Sequence, residues 1–91
     1  MLTAFILVRS SRESLTRLGP QLAGVEGIAE VYTVTGEWDF VAILRLREQN
    51  DLAKVVTGQL SQLEGVSRTQ TMVAFEVYSQ HDLEALFSVG Q

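Results

Sequence analysis

Side chains able to do chemistry are sparse in this sequence, and few of them can act together. His81 is the only histidine and cysteine is absent, so no pair of imidazoles or thiolates exists to share a metal. Near the chain end, that histidine reads as a solvated loop residue. Glu13, Glu26, Glu48, Asp51 and Glu64 are scattered over predicted helix faces and loops and read as caps and flanks. No G-x-x-x-x-G-K-[ST], G-x-G-x-x-G or G-x-S-x-G is present, and the glycines mark turns without forming a phosphate cradle. No nucleophile, base and oxyanion donor converge, which argues against catalysis and leaves no cofactor to expect. One stretch stands apart, Val34-Thr35-Gly36-Glu37-Trp38-Asp39 between two apolar runs. Gly36 suits the first central position of a two-residue type II′ hairpin, which needs positive φ there. Glu37 reads as exposed turn chemistry. Asp39 is an acid that the turn does not require. Its carboxylate either accepts the turn's own N–H groups, or faces a cleft and shapes the loop or pairs with an ammonium group. Thr69 and Thr71, two apart in a predicted strand, offer hydroxyls on one face, although threonine there is also ordinary β-propensity.

The elements that must position these groups follow from composition and pattern. The chain has 91 residues, 46% of them apolar and 20% charged, the composition of one globular domain. A chain of this length buries only about 60–65% of its unfolded surface, so a single copy is thinly stabilised. Seven basic against eleven acidic side chains give a net charge of −4, a poor basis for direct nucleic-acid binding through phosphate neutralisation. The longest apolar runs, Ala4–Val8 and Phe40–Leu44, fall far short of the roughly 18–20 residues that span a bilayer. The start, Met1-Leu2-Thr3, has no cationic region or cleavage site of a secretory signal. A cytoplasmic protein without membrane contact is expected.

The sequence repeats itself at an offset of 38 without a gap. Ala4-Phe5-Ile6-Leu7-Val8-Arg9 lies over Ala42-Ile43-Leu44-Arg45-Leu46-Arg47, Leu22 over Leu60, and Val25-Glu26-Gly27-Ile28 over Leu63-Glu64-Gly65-Val66. Two copies are one motif used twice within a domain. Each opens with a strand, Thr3–Val8 and Trp38–Leu46. A helical pattern follows, carried by Leu15, Leu18 and Leu22 in the first copy and by Leu52, Val55, Val56, Leu60 and Leu63 in the second. Ser10-Ser11-Arg12-Glu13 predicts a capping box and Asn50 a second cap. Pro20 and the matching Gly58 weaken the two helices. Each copy closes at Glu-Gly and enters another strand, Ile28–Thr35 and Val66–Tyr78. The order β-α-β-β-α-β predicts an α+β, ferredoxin-like domain over residues 1–80, its four-stranded antiparallel sheet carrying both helices on one face. Residues 81–91 read as a helical tail capped by Asp82, with Leu83, Leu86 and Phe87 docking on a neighbouring surface.

A sheet with helices on one side and water on the other should alternate apolar and polar residues. Ala4-Phe5-Ile6-Leu7-Val8, Phe40-Val41-Ala42-Ile43-Leu44 and Met72-Val73-Ala74-Phe75 break that rule, being apolar on both faces. An apolar second face exposed to water would aggregate, so a homodimer packed sheet to sheet is expected.

Val31-Tyr32-Thr33-Val34-Thr35-Gly36-Glu37-Trp38-Asp39-Phe40 resembles the signature of the C-terminal effector domain of the Lrp/AsnC family, the module of regulation of amino-acid metabolism. Leu63-Glu64-Gly65-Val66-Ser67-Arg68-Thr69-Gln70-Thr71-Met72-Val73 is similar to that family's Leu-Pro-Gly-Val…Thr-x-Thr strand, with Glu64 in the place of the usual proline. The resemblance runs in register from the first strand to about Tyr78. It implies a non-enzymatic module that binds an amino-acid effector, dimers that associate further as a ring of four (an octamer), and ligand lodged between dimers at Thr35, Gly36, Glu37, Trp38 and Asp39, with Thr69 and Thr71 from the last strand. The family's helix-turn-helix does not precede the first strand here. The resemblance therefore implies a stand-alone effector domain, with a full-length Lrp/AsnC regulator as a possible partner. The competing readings are a small dimeric α+β barrel enzyme of monooxygenase or isomerase type and a purely structural oligomerisation module.

Overall fold

The computed structural model describes residues 1–80; the expected tail at 81–91, with His81, lies outside the described residues. In chain order the elements are β1 (Leu2–Ser10), a tight turn at Arg12–Ser14, α1 (Leu15–Ala23), β2 (Ile28–Thr33), β3 (Phe40–Leu46), α2 (Gln49–Ala53) and β4 (Val66–Val73). From α2 the chain winds on through a wider π-helical stretch, Lys54–Gln59, and a closing 3₁₀ turn, Leu60–Gln62. The two strands that open the repeat lie side by side at the centre of one antiparallel sheet of order β2-β3-β1-β4. This is the expected ferredoxin-like arrangement.

The repeat is visible in the packing. Ala4, Ile6 and Val8 of β1 and their counterparts Ala42, Leu44 and Leu46 of β3 all point to the helix side and are buried, as are the matched Leu22 and Leu60. Phe40, Leu18 and Val55 complete this core. The glycine that closes each copy is also matched. Gly27 and Gly65 both hold positive φ, +98° and +101°, a conformation that only glycine adopts without strain. A side chain on either would meet the core: a Cβ on Gly27 would come within 2.7 Å of Leu46 Cδ2, and one on Gly65 within 2.2 Å of Ser14 Oγ.

Local details of the helices differ from the sequence pattern. No capping box forms at Ser10–Glu13. Ser11 makes no capping hydrogen bond to the backbone; its hydroxyl donates to Ser14 Oγ at 3.0 Å, and the Ser10 hydroxyl donates to the Ser11 carbonyl at 2.6 Å. The chain enters α1 through a 3₁₀ turn, which closes in three residues and rotates the following positions. Ser14 thereby takes the inward place expected of Leu15; it is buried, and Leu15 is 42% exposed. The second helix is capped at Glu48, whose N–H donates to Asp51 Oδ2 at 3.3 Å, and Asn50 lies inside its first turn. Pro20 sits on the exposed side of α1, which ends three residues later at Ala23. The wide winding of the second helix includes Gly58, the counterpart of Pro20, next to its last residue.

Among the described residues the other face of the sheet carries no helix. Phe5, Leu7, Val41 and Ile43 are half-buried there by one another, and Tyr32 and Met72 on the flanking strands are 48% and 42% exposed. The Tyr32 hydroxyl donates to the Glu30 carboxylate, and that bond, with the negative charge beside it, holds the phenol above its ordinary value. Ala74 N–H still pairs with Thr3 O at 2.9 Å. Beyond it, Phe75, Val77 and Tyr78 are 97%, 81% and 87% exposed. No helix among the described residues is long and apolar enough to cross a membrane.

Candidate functional site

The loop between β2 and β3 is held from Asp39. Its carbonyl accepts the Val34 N–H at 3.0 Å, so the loop is four residues, Thr35–Trp38, and not the two-residue type II′ turn that the sequence predicts. The reason is that Asp39 also belongs to the edge of β1: its N–H donates to Val8 O at 3.0 Å, and its Oδ2 accepts the Ser10 N–H at 2.8 Å. A strand residue bonded on both sides cannot tighten into a turn. Gly36 does have positive φ, +106°, and nothing lies within 4 Å of where its Cβ would be. The backbone around it is open to approach from outside.

Of the alternatives for Asp39, the carboxylate is committed to shaping the loop, through a backbone group 29 residues away and not through the turn's own N–H groups. Asp39→Ala is expected to lower stability by about 1.5–3 kcal/mol, the value of a hydrogen bond to a charged acceptor. Asp39→Asn, which keeps an acceptor without the charge, is expected to lose less. Thermal unfolding gives the totals, and amide exchange at Ser10 should accelerate in the alanine variant while exchange in the centre of β1 follows only global unfolding.

Glu37 and Trp38 meet a residue that the pattern of the sequence did not single out. Arg68, at the start of β4, places its guanidinium 5.1 Å from the centroid of the Trp38 ring and 3.8 Å from Glu37 Oε1. Both ion-pair partners are more than 60% exposed, and pairs of this kind contribute about 0–1 kcal/mol. Trp38 itself is half-buried. The signal for Arg68 lay in the topology: β4 and β3 both run antiparallel to β1, so the start of β4 and the β2–β3 loop share one end of the sheet.

Thr69 and Thr71 do share a face, opposite Val8 and Ile6 on the helix side. Thr69 is two strands from Phe40, about 10 Å at ordinary strand spacing, and no hydrogen bond joins either threonine to the hairpin among the described residues. Thr69 instead lines a groove of about 460 Å³ between the second helix and β4, with Thr57, Leu60, Ser67 and Arg68. The Thr57 and Ser67 hydroxyls there donate to Ala53 O and Arg9 O, whereas the Thr69 hydroxyl has no partner among the described residues. No group of three or more metal-ligating side chains occurs among the described residues.

The class the structure defines is a ferredoxin-like α+β domain with an open-backed polar and aromatic hairpin at one end of its sheet. The chain belongs to the Lrp/AsnC ligand binding domain family, whose profile matches residues 3–83. An uncharacterised HTH-type transcriptional regulator of Pyrococcus furiosus is 38% identical over 76 residues, which are 80% of this chain and 51% of that protein. Another from Pyrococcus abyssi is 35% identical over 81 residues, 86% and 54% of the two chains. The chain thus spans about half the length of these curated relatives. Among solved structures, TTHA0845 of Thermus thermophilus is 44% identical with a TM-score of 0.83, covering 88% of this chain and 100% of that one. The fold is shared with a Neisseria meningitidis transcriptional regulator solved as a complex with L-Met, at 18% identity and a TM-score of 0.78 over 87% of this chain and 53% of that one.

Proposed function

We propose that this chain is a non-enzymatic, cytoplasmic amino-acid-binding and assembly module, acting in transcriptional regulation through a full-length Lrp/AsnC regulator as partner and not through nucleic acid of its own. The observation that carries the reading is the hairpin. Asp39 anchors its base at three points, and Gly36 leaves the tip's N–H and C=O groups uncovered. A zwitterion needs donors and acceptors together, and an uncovered backbone supplies both. Thr35, Gly36, Glu37, Trp38 and Asp39 form this site; Thr69 and Thr71 serve it from the last strand across a neighbouring copy. The ligand named for the Neisseria meningitidis relative, L-Met, is of the same chemical class.

Assembly is part of the same reading. The helix-free face, with Phe5, Leu7, Val41 and Ile43 at its centre, is apolar enough to pair with its copy, and dimers so formed associate further, to an octamer. A ligand seated between dimers then stabilises the assembly by the same free energy with which assembly tightens the ligand. Titration calorimetry of the chain with each of the twenty amino acids, together with light scattering, tests this. Heat from at least one amino acid, with a rise in assembled mass, is the expected result. No heat and no change in mass for any of the twenty overturns it.

A further inference from the structure

Charge is placed around the hairpin in a way that specifies more than a general amino-acid site. Asp39 gives one carboxylate oxygen to the Ser10 N–H, at 2.8 Å, at the base of the loop, whereas Glu37 stands exposed beside the loop's tip. The free cation is Arg68. Its guanidinium carbon lies 5.1 Å from the centroid of the Trp38 ring, a cation–π contact that takes up no hydrogen-bond acceptor. Its only ion pair among the described residues, to Glu37, is 3.8 Å long, beyond hydrogen-bond reach. Arg68 is also paired directly across β1–β4 with Arg9. Like charges facing each other across a sheet repel, so this corner is short of an anion that Glu37 supplies only at a distance. A carboxylate arriving from outside would accept two parallel N–H bonds from Arg68 and relieve the Arg9–Arg68 repulsion.

We propose, resting on the effector reading above, that Arg68 receives the carboxylate of the bound amino acid and Glu37 its ammonium group, with the Trp38 indole between them, so that the site selects the intact zwitterion. Glu37 and Arg68 hold each other loosely until the ligand separates them, each then exchanging a long contact for a direct one. Asp39 positions the loop that carries Glu37 and Trp38.

The test is calorimetry of the full chain at about pH 6, where α-amino groups remain protonated. L-methionine is compared with L-methioninamide, followed by the same pair for every other amino acid of the twenty that binds. Wild type is expected to prefer each amino acid over its carboxamide by more than about tenfold, or 1.4 kcal/mol. Arg68→Gln is expected to lose at least that factor for the amino acid while its affinity for the amide barely changes, so the preference disappears; Arg68→Lys, which keeps the charge but not the fork, should retain part of it. Glu37→Gln should weaken amino acid and amide alike. An Arg68 that merely braced the hairpin would lower both ligands together, and an unchanged preference in Arg68→Gln overturns the assignment while leaving the effector reading standing. Wild type binding none of the twenty overturns both. Circular dichroism verifies that Arg68→Gln is folded, and the lysine variant decides the same question if it is not.

Discussion

Gly65→Ala is expected to unfold at a temperature lower by roughly 8–40 °C, the largest loss among alanine substitutions at Gly27, Gly36 and Gly65. Two costs combine. An L residue at φ +101° pays about 1–2 kcal/mol for the left-handed backbone. The new Cβ would also stand 2.2 Å from Ser14 Oγ and 2.4 Å from Ser14 Cβ. Ser14 is buried, and its Cβ is bound to the backbone, so it has little room to retreat; overpacking of this kind costs about 1–3 kcal/mol. Together these make about 2–5 kcal/mol, against a total stability of about 5–15 kcal/mol for an ordinary domain, and each kcal/mol is worth roughly 4–8 °C at this size. The matched Gly27→Ala should lose less, because the atom in its way, Leu46 Cδ2 at 2.7 Å, is the tip of a flexible side chain. Gly36→Ala should lose least, since it pays only the backbone term with nothing within 4 Å. The order Gly65, Gly27, Gly36 in a thermal unfolding series checks the packing at both ends of the repeat; equal losses at the three positions would contradict it.

With the proposed pairing of copies through the helix-free face, Ile43→Asp is expected to leave single chains. Ile43 faces the helix-free side between Phe5 and Tyr32's strand, and a carboxylate there has no partner once two such faces meet. An unpaired buried charge costs about 3–5 kcal/mol, which weakens association by more than about a hundredfold. Sedimentation or light scattering should give the mass of one chain, and the unfolding temperature should stop depending on protein concentration. Met72→Asp repeats the test at a position 42% exposed in one chain, where the charge costs the isolated fold little. If both variants keep the wild-type mass, the helix-free face is not the contact between copies.

Much of this architecture could be read before any coordinates. The offset of 38 placed Ala4 over Ala42 and Leu22 over Leu60, and all four are buried at equivalent places because the two halves solve one packing problem twice. Two glycines in the same Glu-Gly context take the same left-handed φ for the same reason. The start of α1 was not legible. A 3₁₀ entry turn and an α-helical cap make nearly the same demand on Ser10–Glu13, and what decided between them was the room that Gly65 leaves for Ser14, from the far end of the other copy.

The hairpin divides in the same way. Positive φ at Gly36 is a local steric matter, and the sequence alone determined it, along with the two-fold repeat and the apolar second face of the sheet. The turn and the apolar face depend on residues a turn or a strand step apart, and the repeat shows by laying the chain over itself. The tertiary structure alone decided the loop's width, the partner of the Asp39 carboxylate and the company of Arg68 at Trp38. Each of those rests on contacts between segments about 30 residues apart, and such distances are set only when the sheet brings its strands into register.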